Sequence, residues 1–415
     1  MRESGQQSQK ERKSLARAAP EKSIARILVG CSMFRALTFA VLVAAGAVHA
    51  DTGPDALKAM FKDGASSSVW IDFKTYKATG IFFPARVNGH EVLVFLYGGP
   101  TNIDKTFAAS IGLLQKAATG DGAASITGVT LETDGLTLSN ITAGAIDAPP
   151  QFAQITGRPV PLHLGEEAFN RLAVDIDYVH HRLAFRDPAR VTKPARAVEV
   201  PLVEFDGERT VPLSINGGPM VQFELEIGNV SGPLLVIPSY AQEHKLLEGR
   251  RTSQRLSGKF IESVVTVDHL SFAGIDFPNA PIALVPDAAL PPAPITGGVG
   301  LPLLSRFRLI VDYSHNRLFA IPNAGMTNSP FVKDRLGLVV ARQGDEIDVT
   351  FVSPGSPAEA AGFKRGDEIV VLNGTPAGAC PDLSLITLRF ADSGTRFSFT
   401  MKDGAVRRVQ AVDFF

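Results

Sequence analysis

One pattern occurs twice in this chain, and the repetition limits its architecture more than any other feature. Residues 172–185 read LAVDIDYVHHRLAF and residues 307–320 read FRLIVDYSHNRLFA. Asp177-Tyr178 aligns with Asp312-Tyr313, His180 with His315, and Arg182-Leu183 with Arg317-Leu318, at a constant offset of 135. Just upstream, PLHLGEEAFNRL and GGVGLPLLSRF place Gly165 and Gly300 at the same offset. Earlier still, FFPARVNGHEVLVFLYGG (82–99) and TVPLSINGGPMVQFELEIG (210–228) share one order: strand, Asn-Gly turn, strand. Asn-Gly between apolar alternations is a strong hairpin signal. Residues 66–190 and 197–323 are therefore expected to be two copies of one strand-rich lobe, joined by the proline-bearing DPARVTKPARA. Helical segments are expected near 109–118 in the first copy and over PSYAQEHKLLEG in the second.

A third unit spans 332–415. It has several strands, a short helix over 357–361 ended by Gly362, an amphipathic helix with Leu383, Ile386 and Phe390 on one face, and a closing hairpin at Asp403-Gly404. Ahead of the lobes, Arg35 precedes an apolar run over 37–47, and Val48 and Ala50 fit a secretory cleavage site. The run is short for a membrane span. The expectation is a periplasmic or secreted protein cleaved after Ala50, with no stable membrane span afterwards; Met33 is a second candidate start. Cleavage would move the formal charge from −1 to −6, by removing eight Lys/Arg and three Asp/Glu. Cys380 would then be the sole cysteine, so no internal disulfide could form. A charge near zero gives no nucleic-acid footprint.

The duplicated lobe resembles retropepsin-like aspartic proteases in their bacterial two-lobed, single-chain form. In that family an inner strand leads to Asp-Thr/Ser-Gly, then a helix, and later a strand ending in two apolar residues and glycine. The third unit resembles a PDZ domain, most specifically in SPGSPAEAAGFKRGDEIVVLNG (353–374). The resemblance implies a mainly β fold: two pseudo-twofold-related acid-protease β-barrel lobes followed by a PDZ domain, without a cofactor. Carried over residue by residue, the first active turn falls on Tyr97, Gly98 and Gly99, and the second on Glu226, Ile227 and Gly228. Both glycines remain, with Gly165 and Gly300 supporting the turns, but both aspartates are replaced. The PDZ resemblance places a carboxylate-holding nest at Arg335, Leu336, Gly337 and Leu338, and lines its groove with Leu383 and Ile386.

The family chemistry needs two carboxylates sharing one proton. A phenol, with an ordinary pKa of about 10, cannot replace one of them, and glutamate is a methylene longer than aspartate. Gly98 and Ile227 also lack the hydroxyls that brace the family's turns. The reading that follows is a catalytically inactive protease-like scaffold, a pseudoenzyme. It would bind a polypeptide or a protein C-terminus through the PDZ groove and the inter-lobe cleft. The alternative is an active periplasmic aspartic-type endopeptidase with Glu226 as base and Tyr97 as acid. Asp51-Thr52-Gly53 reads as a chance match, since no apolar strand precedes it. The eight histidines show no metal-ligand spacing, so no metal is expected. Asp177, Asp312, Arg182, Arg317 and the His180-His181 pair are read as hairpin structure.

Overall fold

The computed structural model describes residues 56–75, 80–113, 125–205, 207–228, 232–257, 260–286 and 295–415. The leader, its cleavage site and Asp51-Thr52-Gly53 lie outside them. In the first lobe, β1 (Ile81–Val87) and β2 (His90–Leu96) pair from Val87↔His90 onward. Asn88 (φ 46°) and Gly89 (φ 83°) make the left-handed turn between them. Next come β3 (Asn102–Asp104), β4 (Ser125–Thr133), β5 (Leu136–Ile146) and β6 (Leu162–Leu164). They close into a ring in the order β1-β2-β6-β3-β5-β4. β7 (Ala173–Asp177) and β8 (Arg182–Arg186) follow as a hairpin.

The second lobe repeats the ring and adds a strand, Thr252–Ser257, paired antiparallel to its fourth. β9 (Glu208–Ile215), β10 (Val221–Leu225), β11 (Leu234–Val236), β12 (Phe260–Phe272), β13 (Ile275–Leu284) and β14 (Gly297–Val299) close as β9-β10-β14-β11-β13-β12. In both rings a three-residue strand is inserted between two others. β6 runs parallel to β2 (Leu96↔Leu164) and antiparallel to β3 (Ile103↔Leu162). β14 runs parallel to β10 (Leu225↔Val299) and antiparallel to β11 (Leu235↔Gly298). The helix after each turn also recurs, at Lys105–Ser110 and Pro238–Glu243. The first begins earlier than the expected 109–118, because the Asp104 carboxylate accepts the Phe107 N–H (2.8 Å) and fixes its start. Residues 114–118 of that expectation lie outside the described residues.

The repeated hairpins join the lobes. β15 (Phe307–Asp312) and β16 (Arg317–Pro322) form the second one, and β15 pairs antiparallel with β7 through Leu309↔Ile176, Ile310↔Asp175 and Val311↔Val174. Since Asp175 and Ile310 are themselves 135 apart, the pseudo-twofold axis passes through this pair. Each hairpin is tied by its aspartate. Asp177 bonds His180 Nδ1 (2.7 Å) and Arg182 Nε (3.2 Å); Asp312 bonds His315 Nδ1 (2.8 Å) and Arg317 Nε (2.9 Å). His181 and Asn316, both with φ 50°, occupy the equivalent left-handed position. One continuous apolar core runs through both lobes, including Phe83, Phe169, Phe223, Phe272 and Phe307, all at most 1% exposed. Each such ring is worth about 2–3 kcal/mol of burial.

The C-terminal unit has its own core, centred on Leu336, Leu338, Ile347, Ile369 and Phe399. Its sheet runs β17 (Leu338–Gln343), β18 (Glu346–Val352), β19 (Glu368–Leu372), β20 (Arg396–Met401) and β21 (Val406–Gln410), leaving β17 at an edge. It touches the second lobe through Ser253 Oγ to the Pro354 carbonyl (2.7 Å) and Lys333 Nζ to Thr266 Oγ1 (3.0 Å).

Candidate binding sites: the paired turns and the edge groove

Each turn hangs from its own inserted strand by the same bond. The Tyr97 N–H donates to the Leu164 carbonyl (2.9 Å), and the Glu226 N–H donates to the Val299 carbonyl (3.0 Å). Gly99 returns its carbonyl to the Glu166 N–H (2.9 Å). Gly165 is required here by space rather than by φ: a Cβ on it would lie 2.7 Å from the Pro100 carbonyl carbon and the Thr101 nitrogen. Gly300 opens the short helix Leu301–Leu304, and its N–H donates to the Pro233 carbonyl (3.2 Å).

The two turns meet across the lobes. A Cβ on Gly98 would lie 3.3 Å from the Leu225 carbonyl oxygen and 3.5 Å from the Ile227 nitrogen. One on Gly228 would lie 3.1 Å from the Tyr97 and Phe95 rings. Close backbone approach thus leaves little room for a side chain at Gly98. Ile227 is fully buried and belongs to the shared core.

The two turns carry different surroundings. Tyr97 stacks on Phe95 (5.8 Å between centroids, 26°), and His163 stands edge-on to Phe95 (5.3 Å) and close to Phe152 (5.4 Å). Burial among these rings lowers the His163 pKa to about 4, against the pull of Asp104, so the imidazole is neutral near pH 7. Its Nε2 is buried without a hydrogen-bond partner. In the second lobe, the Glu226 carboxyl lies over Gly298, in space that a Cβ there would claim.

Sequence reasoning missed a polar tie beneath the first turn. Thr101 Oγ1 accepts the Gly165 N–H (2.9 Å) and donates to Glu167 Oε2, which also accepts the Thr101 N–H (3.0 Å). Burial raises the Glu167 pKa despite these bonds. Burial first, and then the Glu167 charge, raise Glu166 to about 7, while Arg209 opposes the rise. The run HLGEE around Gly165 was the available signal: two carboxylates beside a glycine already tied to the turn. Among the described residues no group of three His, Cys, Asp or Glu forms a metal cage.

In the C-terminal unit, Leu336 is fully buried, and Gly337 (φ 66°) has Ser353 Cβ 2.9 Å from where its own Cβ would sit. Arg335 turns to the C-terminal segment, with Nε donating to Asp413 Oδ1 (2.7 Å) and Nη1 to the Ala391 carbonyl (3.3 Å). Leu338 starts the edge strand, and the helix Asp382–Thr387 packs beside it. The side chains of Leu383 and Ile386 lie outside the described ones. The N–H groups of Leu336 and Gly337 both donate to Asp334 Oδ1 (3.1 and 2.6 Å). Burial raises the Asp334 pKa, while Arg389 and these two donors pull the other way.

Comparison with curated proteins gives no match. The family model for the PDZ domain matches residues 328–388, the segment that holds residues 335–338, the edge strand and the helix Asp382–Thr387. The C-terminal unit of this two-barrel β protein is a PDZ domain.

Proposed function

We propose that this chain is a polypeptide-binding scaffold built on a protease-like, two-lobed frame that does not turn over peptides. The observation that carries the reading is the PDZ edge strand β17, open to one further strand and flanked by the helix Asp382–Thr387. An extended peptide added there gains main-chain hydrogen bonds, with side-chain pockets supplying selectivity. The turn residues support the inactive half of the reading. Tyr97 sits in an aromatic stack and brings no carboxylate, and Glu226 alone cannot share a proton with a second acid. The scaffold is proposed to act after export, with Asp51 as its first residue; an intact Met1 or Met33 on protein recovered from the periplasm would sink that part.

A digest of casein and of a mixed peptide library between pH 4 and 7 tests the inactivity. No cleavage above a blank is expected. Reproducible cleavage that disappears in Glu226→Gln would replace the scaffold with an endopeptidase using a divergent pair.

A further inference from the structure

The end of a PDZ groove gains its hold on a chain terminus from a row of backbone N–H groups, which grip the free carboxylate. Here two of those donors are already engaged within the molecule. Asp334 Oδ1 accepts from Leu336 at 3.1 Å and from Gly337 at 2.6 Å. The aspartate is only 6% exposed, so water does not compete for these bonds. Its second oxygen, Oδ2, is buried without a hydrogen-bond partner, and the nearest cation, Arg389 Nη1, stands 3.7 Å away. The loop has little freedom to turn its N–H groups elsewhere. Gly337 holds a left-handed φ of 66°, its carbonyl accepts the Ser353 N–H (2.8 Å), and the Leu336 carbonyl accepts the Ala358 N–H (3.0 Å).

We infer that Asp334 is a specificity-determining residue: its carboxylate fills the nest, so the groove takes an uncharged stretch of extended polypeptide and discriminates against a free C-terminus. An arriving α-carboxylate finds two of its donors occupied and an acidic group where its own charge would go. An amidated end or an internal segment needs neither donor, and still gains the backbone pairing along β17. This rests on the peptide-binding reading above and names the class of ligand that groove accepts.

The full chain is titrated with two pools of fluorescein-labelled decapeptides ending in Val, Leu, Ile or Phe. The pools are identical except that one carries free C-terminal acids and the other carboxamides. The native protein is expected to bind the amide pool at least as tightly as the acid pool. Asp334→Ala frees both N–H groups and should improve acid binding about tenfold relative to amide. Asp334→Asn keeps an oxygen acceptor on them and should shift the ratio less than alanine does. A native protein that prefers acids tenfold overturns the inference while leaving peptide binding intact, and this arm needs no variant to fold. A ratio in folded Asp334→Ala within twofold of native overturns it as well. If neither pool binds native protein or variants, the peptide-binding reading itself falls.

Discussion

Where the inserted strand of the first barrel carries His163, that of the second carries Gly298, 135 residues on. The strands occupy the same place in identical rings and make the same bond to their turns. Above them the chemistry is opposite. The first lobe raises a wall of Phe95, Tyr97, Phe152 and a neutral imidazole; the second leaves an opening that the Glu226 carboxyl fills. Glu166 likewise stands where the second lobe has Leu301, an acid held near its protonated form against an apolar helix start. The difference separates two jobs. Backbone spacing and a few glycines hold the turns together, whereas the groups around the turns vary without disturbing the frame.

If backbone spacing is the shared constraint, the largest losses should come where a side chain would enter a crossing. Gly165→Ala puts a carbon against the Gly99 carbonyl, and Gly297→Ala puts one against the Leu235 carbonyl. Each should cost about 4 kcal/mol or more, in the range of severe strain and overpacking, as read by urea unfolding. Tolerance of alanine at either position would show that these crossings have room for a side chain after all.

Within the first lobe, the buried imidazole and the buried acid predict opposite pH responses. His163 falls from 6.5 to about 4 on folding, so the unfolded chain takes up its proton first as the solution is acidified. Stability should therefore drop by about 3 kcal/mol between pH 6.5 and 4, and His163→Phe should remove that slope. Glu166 rises from 4.5 to about 7, so the folded chain keeps the proton longer. Its contribution is complete below pH 4.5 and is lost as pH rises toward 7. Allowing for partial exposure, this is about 2 kcal/mol, to be removed by Glu166→Gln. Unfolding midpoints of both variants from pH 4 to 7.5 check the signs, and slopes that change the same way would contradict the contrast. The smallest effect belongs to Gly98→Ala, whose Cβ would meet Leu225 and Ile227 backbone at 3.3 and 3.5 Å. A change of at most about 1 kcal/mol is expected; loss of folding would show that the turns meet more tightly than this spacing allows.

The repeated hairpins were legible because their turns are written in local chemistry: an aspartate three residues before a histidine and five before an arginine, all bonding to it. The Asn-Gly turn at Asn88-Gly89 was legible for the same local reason. β3, β6, β11 and β14 have three residues each, too few to show any alternation. Their insertion brings His163 beside Phe95 and Phe152, contacts that no short window of sequence contains. Tyr97 and Glu226 could be placed on their turns from the repeat, but the directions of their side chains depend on what stands at 163 and 298. Asp334 reads in the sequence as an ordinary loop residue; its bonds to the Leu336 and Gly337 N–H groups arise only in the folded loop.

The axis through Asp175 and Ile310 bears on why this is one chain and not a dimer of lobes. Asp175 is fully buried in the central ladder and is held by Arg186 (2.7 Å) from its own lobe and by Arg308 (2.8 and 2.7 Å) from the other. At an offset of 135 those positions become Ile310, Ile321 and Ala173. Two first lobes pairing by the same register would set Asp175 against Asp175 and replace both Arg308 side chains with alanine. Two second lobes would face isoleucine to isoleucine and leave a pair of Arg308 guanidiniums with no acid. Like charges directly opposite on a ladder repel, and a buried carboxylate stripped of a partner is costly. The two halves are complementary across this ladder, and a symmetric pair of either would lose the Asp175–Arg308 bonds.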